Sequence, residues 1–248
     1  MNGVFYTATF GVRYHEVDQQ GWVRLPVVLA WLQEASITHA ACLGVAAANM
    51  EEQQLTWVLS RLGLELLRYP RSGDQVALET WPVNREGMFS IRDYRLTDGD
   101  GALIGRATSS WALLNLQTRR PVRIADHLPP YPLHPVRALD DPFAPLPRLE
   151  GCTTGLELPV LRADLDSNRH VNNTVYAAWG LEAVPGTIAD HLLPNRLEIA
   201  FRAEALYGDT IRSCCAPLPD APHTLLHRIE RAADGRELCR LRTTWRPL

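Results

Sequence analysis

Hydrophobic and polar positions alternate along most of this 248-residue chain, and a period of two is typical of β-strands. Leu25–Leu43 departs from that alternation and carries its apolar residues on one broad helical stripe. Pro26 lies in its first turn and Gly44 follows its end, as expected of a helix. The pattern predicts a strand at 4–14, this helix, and then strands at 56–68, 75–83, 89–97 and 103–116.

The same order of elements returns in the second half. A short strand at 158–161 is followed by a helix predicted from about Val171 to Ala183, which Pro185-Gly186 ends. Further strands are predicted at about 195–205, 209–216, 224–232 and 236–246. Each half therefore consists of a strand, a helix and four more strands.

The repetition extends to single residues. Asp18–Val23 and Asp166–Val171 share their first Asp, their last Val and a carboxamide two residues after the Asp. Where the first copy has Trp22, the second has His170. The two copies share their flanking residues and differ at the position of the histidine. This difference indicates that one half serves structure or binding and that the other half carries out the reaction.

A second pair of segments extends the frame downstream. Arg61–Leu66 aligns without a gap onto Arg196–Phe201, and this register places Tyr69 opposite Glu204. The repeat period is far longer than that of a solenoid, so we infer a duplicated domain of ~120 residues.

Seven prolines lie within residues 125–150, a density that no regular element tolerates. We therefore predict an N-terminal domain at 1–124, a linker at 125–150 and a C-terminal domain at 151–248. A long helix wrapped by a curved antiparallel sheet, present twice, is an α+β architecture, and we expect a tandem (double) hotdog fold.

Composition narrows the classes of function. The net charge of −3 argues against a nucleic-acid binder, although all 25 basic residues are arginine. No apolar run approaches the length of a membrane span, and the first residues lack the pattern of a secretory signal. The five cysteines and the histidines lack metal-ligand spacing, so we expect no metal and a reduced cytoplasmic protein.

The loop before the second helix carries the candidate chemistry. His170 follows Asp166 by four residues and Asn168 by two, directly before the predicted helix. Asp166 is equally suited to capping backbone N–H groups, and Asn168 to a simple turn. Glu204 follows an apolar strand and faces inward only if a bulge intervenes at Arg202–Ala203; otherwise it is an ordinary surface glutamate.

The segment Asp166–Asn173 resembles the D-x-N-x-H-V-N-N signature of acyl-acyl carrier protein thioesterases. Further blocks similar to the N-terminal half of that family are 56–61, 69–74, 79–82 and 118–123. The similarity runs from about Phe10 to Trp245. It implies a tandem hotdog enzyme that hydrolyses the thioester between a fatty acyl chain and the phosphopantetheine of acyl carrier protein, releasing free fatty acid in fatty-acid biosynthesis.

The resemblance also implies how the halves divide the work. The first would accommodate the acyl chain, and the second would carry the catalytic positions, which transfer to Asp166, Asn168, His170 and Glu204. Plant members have a cysteine after the glutamate, once proposed as a nucleophile, where this chain has Ala205. We therefore expect water-based hydrolysis with no cofactor.

Several roles stay open at this level. Glu204 or Asp166 would take a proton from water, and His170 would hold the water or protonate the leaving thiolate. Asn168 would orient either group, and the start of the helix near Val171 would stabilise the oxyanion. Direct carboxylate attack to give a mixed anhydride is an alternative.

Three other functions compete: an acyl-CoA thioesterase, a hotdog 3-hydroxyacyl dehydratase, and a non-enzymatic acyl-binding protein. As partner we expect acyl carrier protein with its fatty acyl-phosphopantetheine, and no nucleic acid or membrane span. We expect a monomer or homodimer. Arginines at the mouth of the groove would attract the acidic carrier, and the candidates are Arg119, Arg120, Arg123 and Arg169.

Overall fold

The computed structural model describes residues 3–151 and 155–248, and it divides the chain into two compact units, Met1–Pro142 and Phe143–Leu248. The division falls inside the predicted linker. Among the described residues, no helix is both long enough and apolar enough to cross a lipid bilayer.

Unit 1 is an antiparallel sheet with one long helix. Its strands are β1 (Tyr6–Gly11), β2 (Leu55–Leu66), β3 (Gln75–Glu86), β4 (Phe89–Thr97), β5 (Leu103–Asn115) and the two-residue β6 (Arg120–Pro121). Its helices are α1 (Leu25–Cys42), the four-residue α2 (Ile124–His127) and 3-10 turns at Tyr14–Glu16 and Ala47–Gln53. The strand order is β1-β3-β4-β5-β2, with β6 paired to β5. The predicted strand, helix and four strands are confirmed within a few residues.

Unit 2 repeats this arrangement with a shorter helix. Its strands are β7 (Leu156–Pro159), β8 (Leu192–Phe201), β9 (Thr210–Leu218), β10 (Ala221–Arg231) and β11 (Glu237–Pro247). Its helices are α3 (Asn173–Glu182), α4 (Gly186–Ala189) and a 3-10 turn at Arg162–Asp164. The order β7-β9-β10-β11-β8 is that of unit 1, element for element. Each unit is therefore an α+β hotdog, as predicted.

A β-bulge ends the strand before Glu204. The N–H groups of Arg202 and Ala203 both donate to the carbonyl of Leu238, at 2.9 and 3.1 Å. Two residues facing one partner define a bulge, so the bulge on which an inward-facing Glu204 depends is present at Arg202–Ala203. Unit 1 has the same feature, because the N–H groups of Leu67 and Arg68 both reach the carbonyl of Ile104.

The proline-rich segment up to residue 142 is held on unit 1. The fully buried carboxylate of Asp93 accepts hydrogen bonds from Arg137 Nε at 3.0 Å and from the N–H of Ala138 at 2.7 Å. Trp81 Nε1 donates to the carbonyl of Val136 at 3.0 Å. The expectation of no regular structure is wrong for 125–127, which belong to α2.

Polar side chains of the unit 2 sheet bind the last turn of α3. Ser213 Oγ donates to the carbonyl of Trp179 at 2.8 Å, and Cys215 Sγ donates to that of Ala183 at 3.0 Å. His227 lies 3.1 Å from the carbonyl of Gly180 through Nδ1. The last carbonyls of a helix have no partner within the helix. These side chains therefore stabilise the C-terminal end of α3, which is shorter than α1.

The interior of unit 1 holds a buried positive charge. Arg92 is 8% exposed, and its Nη1 donates to His39 Nδ1 at 2.9 Å and to Thr80 Oγ1 at 3.2 Å. Burial lowers the pKa of this guanidinium, and the groups that oppose the shift are the phenols of Tyr94 and Tyr131 rather than a carboxylate. The sequence analysis did not predict this buried polar cluster.

The cysteines depart from the expected reduced state. Cys42 and Cys215 carry thiols, whereas Cys214 is disulfide-bonded. The prediction of a wholly reduced chain is therefore wrong for Cys214, while Cys152 lies outside the described residues. Burial raises the pKa of the Cys215 thiol, so this group stays protonated near neutral pH.

Candidate active site

Asp166 shapes the loop that carries the histidine. Its Oδ1 accepts hydrogen bonds from the N–H groups of Asn168 at 2.8 Å and His170 at 3.2 Å. Asp18 makes the equivalent bonds to the N–H groups of Gln20 and Trp22, both at 2.9 Å. Because both units use the contact, it defines the shape of the loop. A chemical role for Asp166 stays a prediction.

Arg169 occupies a backbone conformation that favours glycine. Its φ is 63°, in the left-handed region, and its counterpart in unit 1 is Gly21 with a φ of 83°. A side chain at such an angle costs about 1 kcal/mol or more. Unit 2 therefore retains an arginine beside His170 at the expense of stability.

Arg169→Gly is expected to raise the free energy of unfolding by about 1 kcal/mol, because glycine adopts this angle without strain. The reciprocal change, Gly21→Arg, is expected to lower it by a similar amount. The space around Gly21 is open, so the backbone angle alone produces the effect. Urea unfolding of both variants measures the two changes in the free energy of unfolding. Changes of the same sign in the two variants would contradict the prediction.

His170 and Glu204 come together from distant parts of the sequence. His170 Nε2 lies 3.5 Å from Glu204 Oε2, and the two side chains are 35% and 40% exposed. A β-bridge between His170 and Leu206, and a hydrogen bond from the N–H of Val171 to the carbonyl of Ala205, join their segments. Because both side chains are partly exposed, water can reach this imidazole and carboxylate, two groups that act as general bases in enzymes.

Unit 1 has the same backbone frame without this chemistry. Trp22 forms the equivalent bridge with Arg71, and the N–H of Val23 donates to the carbonyl of Pro70 at 3.0 Å. The Arg71 guanidinium stacks over the Trp22 ring at 3.8 Å. Buried Tyr69 stands at the place of Glu204. The register predicted from the repeat is thus confirmed by the bridges.

Asn168 lies in an exposed turn, two residues before His170, where its N–H is held by Asp166. The structure therefore brings three of the four predicted site residues into one loop and places Glu204 beside it. Among residues 3–151 and 155–248, no group of three or more histidine, cysteine, aspartate or glutamate side chains is arranged to hold a metal.

The helix begins later than expected. Its first residue is Asn173, two residues after the predicted start near Val171, and Asn172 is the N-cap. Asn172 Oδ1 accepts from the N–H of Thr174 at 3.0 Å, and its carbonyl accepts from the N–H of Val175 at 3.0 Å. Those two N–H groups are therefore used within the helix and do not serve as donors to an oxyanion.

Two residues near the site were missed in the sequence. The buried phenol oxygen of Tyr176 accepts a hydrogen bond from the N–H of Ala205 at 2.9 Å. Arg231 Nη2 donates to the carbonyl of Glu204 at 3.2 Å. In the sequence, Tyr176 looks like an ordinary core aromatic of a helix and Arg231 like a charged residue near a hairpin. Only the folded chain shows that both contact the peptide group between Glu204 and Ala205.

Comparison with known families gives two matches that together span most of the chain. The acyl-ACP thioesterase N-terminal domain matches residues 3–129, and the acyl-ACP thioesterase C-terminal domain matches residues 151–247. The "Oleoyl-acyl carrier protein thioesterase 1, chloroplastic" of Arabidopsis thaliana is 30% identical over 278 residues, covering 99% of this chain and 77% of that protein.

Solved structures agree with these matches. The 12:0-ACP thioesterase from Umbellularia californica superimposes with a TM-score of 0.85 at 28% identity, covering 100% of this chain and 96% of that one. An acyl-ACP thioesterase from Bacteroides thetaiotaomicron gives a TM-score of 0.80 at 28% identity, covering 98% of both chains. The similarity therefore includes both units.

Proposed function

The chain belongs to the acyl-acyl carrier protein thioesterase family, and on this premise we propose that its His170–Glu204 pair adds water to the thioester of fatty acyl-acyl carrier protein. The enzyme is a thioester hydrolase that releases free fatty acid. One observation carries the proposed mechanism: the pair exists in unit 2 alone, while unit 1 has Trp22 and Tyr69 at the same places.

Glu204 is the proposed base. It takes a proton from a bound water as the water oxygen bonds to the thioester carbonyl carbon. The tetrahedral oxyanion then collapses, and the bond between carbon and sulfur breaks. Glu204 passes the proton across the 3.5 Å gap to His170, which delivers it to the leaving thiolate. The products are a fatty acid and the phosphopantetheine thiol.

The other two site residues support this pair. Asp166 already uses Oδ1 to bind two N–H groups of the loop, which favours Glu204 as the carboxylate that contacts water. Asn168 lies in the same turn and is proposed to orient the water or the thioester. Roles for both residues stay predictions that substitution will test.

The reaction needs no thiol nucleophile. Ala205, at the position of the cysteine in plant members, is fully buried and carries no thiol. A variant with all five cysteines replaced is expected to keep its kcat within about twofold, because hydrolysis by water requires no cysteine. Circular dichroism establishes that the variant is folded. Complete loss of turnover in a folded variant would overturn the water mechanism.

Release of free thiol tests the proposal and separates it from its rivals. Purified protein is mixed with acyl-acyl carrier protein, acyl-CoA or 3-hydroxyacyl-acyl carrier protein, and thiol is followed with a chromogenic disulfide. The expected result is thiol from the carrier substrate at the highest kcat/KM. A dehydratase leaves the thioester intact, an acyl-binding protein releases nothing, and an acyl-CoA thioesterase prefers the CoA substrate.

Recognition of the carrier is proposed to depend on exposed arginines. All four candidates are exposed, and they are Arg119, Arg120, Arg123 and Arg169. Opposite charges on the carrier would raise the rate of encounter, an effect that salt screens. A cytoplasmic location, a place in fatty-acid biosynthesis and a monomeric or homodimeric state stay predictions.

We expect kcat/KM for the protein-bound thioester to fall as salt rises, and to fall more than for acyl-CoA. Arg120→Glu at low salt is expected to reproduce this selective loss. Arg148→Glu, a charge reversal at another exposed side chain, is the matched control and is expected to change neither substrate. Equal salt sensitivity of the two substrates would favour an acyl-CoA thioesterase.

A further inference from the structure

The peptide group that follows Glu204 is held at both of its ends by side chains. Its carbonyl, that of Glu204, accepts a hydrogen bond from Arg231 Nη2 at 3.2 Å. Its N–H, that of Ala205, donates to the phenol oxygen of Tyr176 at 2.9 Å. Two side chains from different elements, one from α3 and one from the end of β10, thus fix the orientation of a single peptide plane.

Tyr176 is itself firmly placed. It is buried, and its ring makes edge contacts with Trp179 at 5.3 Å and Phe201 at 5.7 Å between centroids. Burial raises the pKa of the phenol, so the hydroxyl stays neutral. A buried N–H without a partner is costly, so the bond from Ala205 opposes any rotation of this peptide.

Arg231 is placed by two carboxylates. Its Nη1 donates to Asp234 Oδ2 at 3.1 Å, and its Nε lies 3.2 Å from Asp209 Oδ2 as an ion pair. The same Asp209 oxygen accepts from the N–H of Leu206 at 3.0 Å. Arg231 therefore connects the hairpin after β10 to Glu204 and to Asp209, the last residue of the loop that carries Glu204.

Unit 1 differs at the three positions that hold this peptide, although Asp74 Oδ2 accepts from the N–H of Arg71 at 2.9 Å as Asp209 accepts from that of Leu206. The repeat places Val28 at the position of Tyr176, and Pro70, which has no N–H, at that of Ala205. Asp98 is the counterpart of Arg231 in the first hairpin. Its carbonyl accepts from the N–H of Gly101, as the carbonyl of Arg231 accepts from the N–H of Gly235. Val28 and Pro70 therefore do not form the bond that Tyr176 and Ala205 form in the unit that contains the His170–Glu204 pair.

We propose that Tyr176 and Arg231 are positioning residues for the hydrolysis: by fixing the Glu204–Ala205 peptide, they hold the Glu204 carboxylate at its working distance from His170. The proposal rests on the proposed function of Glu204. A carboxylate on a strand-ending loop turns with its own peptide plane, and small displacements of a catalytic group cause large losses of rate. Both residues act through Glu204 and not through contact with the substrate.

Three variants test the idea in the full-length protein. Tyr176→Phe keeps the ring and removes the acceptor, and Arg231→Gln removes the guanidinium. Arg240→Gln is the matched control, because Arg240 also binds a backbone carbonyl, that of Leu146, and an acid, Glu237, but lies elsewhere in unit 2. We expect the first two to lower kcat about 10-fold or more with KM changed less than about threefold. The control is expected to keep its kcat.

Merely structural residues would behave differently. All rates are measured at least about 15 °C below each variant's Tm, so that a loss of stability alone leaves kcat unchanged. The pH dependence of kcat/KM gives a second readout, since moving Glu204 away from His170 changes the pair that transfers the proton. A Tm decrease with an unchanged kcat and pH profile for both variants would overturn the proposal.

Combination with Glu204→Gln distinguishes this proposal from the one on which it rests. If Tyr176 acts through Glu204, adding Tyr176→Phe to Glu204→Gln is expected to cost less than about twofold in kcat. A full additive loss in the double variant would overturn the positioning role. A fully active Glu204→Gln single variant would instead overturn the assignment of Glu204, whatever Tyr176 and Arg231 do.

Discussion

His170→Ala is expected to lower kcat by about 100-fold or more, the usual scale for losing a group that transfers a proton. Glu204→Ala is expected to do the same, since the two side chains pass one proton across 3.5 Å. Steady-state release of thiol from acyl-acyl carrier protein measures both effects. If the fold-loss of kcat in the double variant is far smaller than the product of the two single fold-losses, the two residues act as a unit.

The duplicated frame supplies a control for the histidine. Trp22 occupies the place of His170 in unit 1, where it stacks with Arg71. Trp22→Ala is expected to lower stability or change substrate choice while kcat stays within a few-fold. The site would be misplaced if His170→Ala kept more than about half of its activity.

Acidification is expected to destabilise the fold through two buried histidines. Burial lowers the pKa of His227 to about 4, and burial together with the Arg92 charge lowers the pKa of His39 to about 4. Both are neutral when folded, whereas in the unfolded chain they bind a proton below pH 6.5. The stability from each is present above that pH and is lost as the pH falls toward 4, by up to about 3 kcal/mol per histidine.

The hydrogen bonds of both rings fit the neutral form. His227 donates from Nδ1 to the carbonyl of Gly180 and accepts at Nε2 from the hydroxyl of Thr243, at 3.1 and 2.8 Å. His39 accepts at Nδ1 from the Arg92 guanidinium. Urea midpoints measured between pH 7 and pH 4 test the prediction. His227→Asn is expected to flatten the pH dependence, and an unchanged slope in that variant would argue against it.

Much of the fold was predictable because local signals agreed with each other. Leu25 begins α1, Gly44 follows its end, and the repeat register placed Tyr69 opposite Glu204. The helix of unit 2 began two residues later than predicted because the side chain of Asn172 takes the N-cap position. The left-handed turn at Arg169 also had a signal, since its counterpart is a glycine, Gly21.

What the sequence did not predict are contacts between elements far apart in the chain. Tyr176 and Arg231 matter because their hydrogen bonds meet on one peptide, which no periodicity encodes. The charge of Arg92 was missed for a related reason. Its strand has an alternating pattern in which an arginine marks an exposed position, whereas here His39 and Thr80 surround it in the interior.

Pro70 limits what engineering could recover from the duplication. Installing a histidine at Trp22 and a glutamate at Tyr69 would copy the reacting side chains into unit 1, but the peptide after position 69 has no N–H for a phenol to hold. Val28 and Asp98 would also need exchange. The two halves thus differ in their main chain as well as in their side chains. A variant with an active site in each unit would need a new loop after position 69 before the introduced side chains could act.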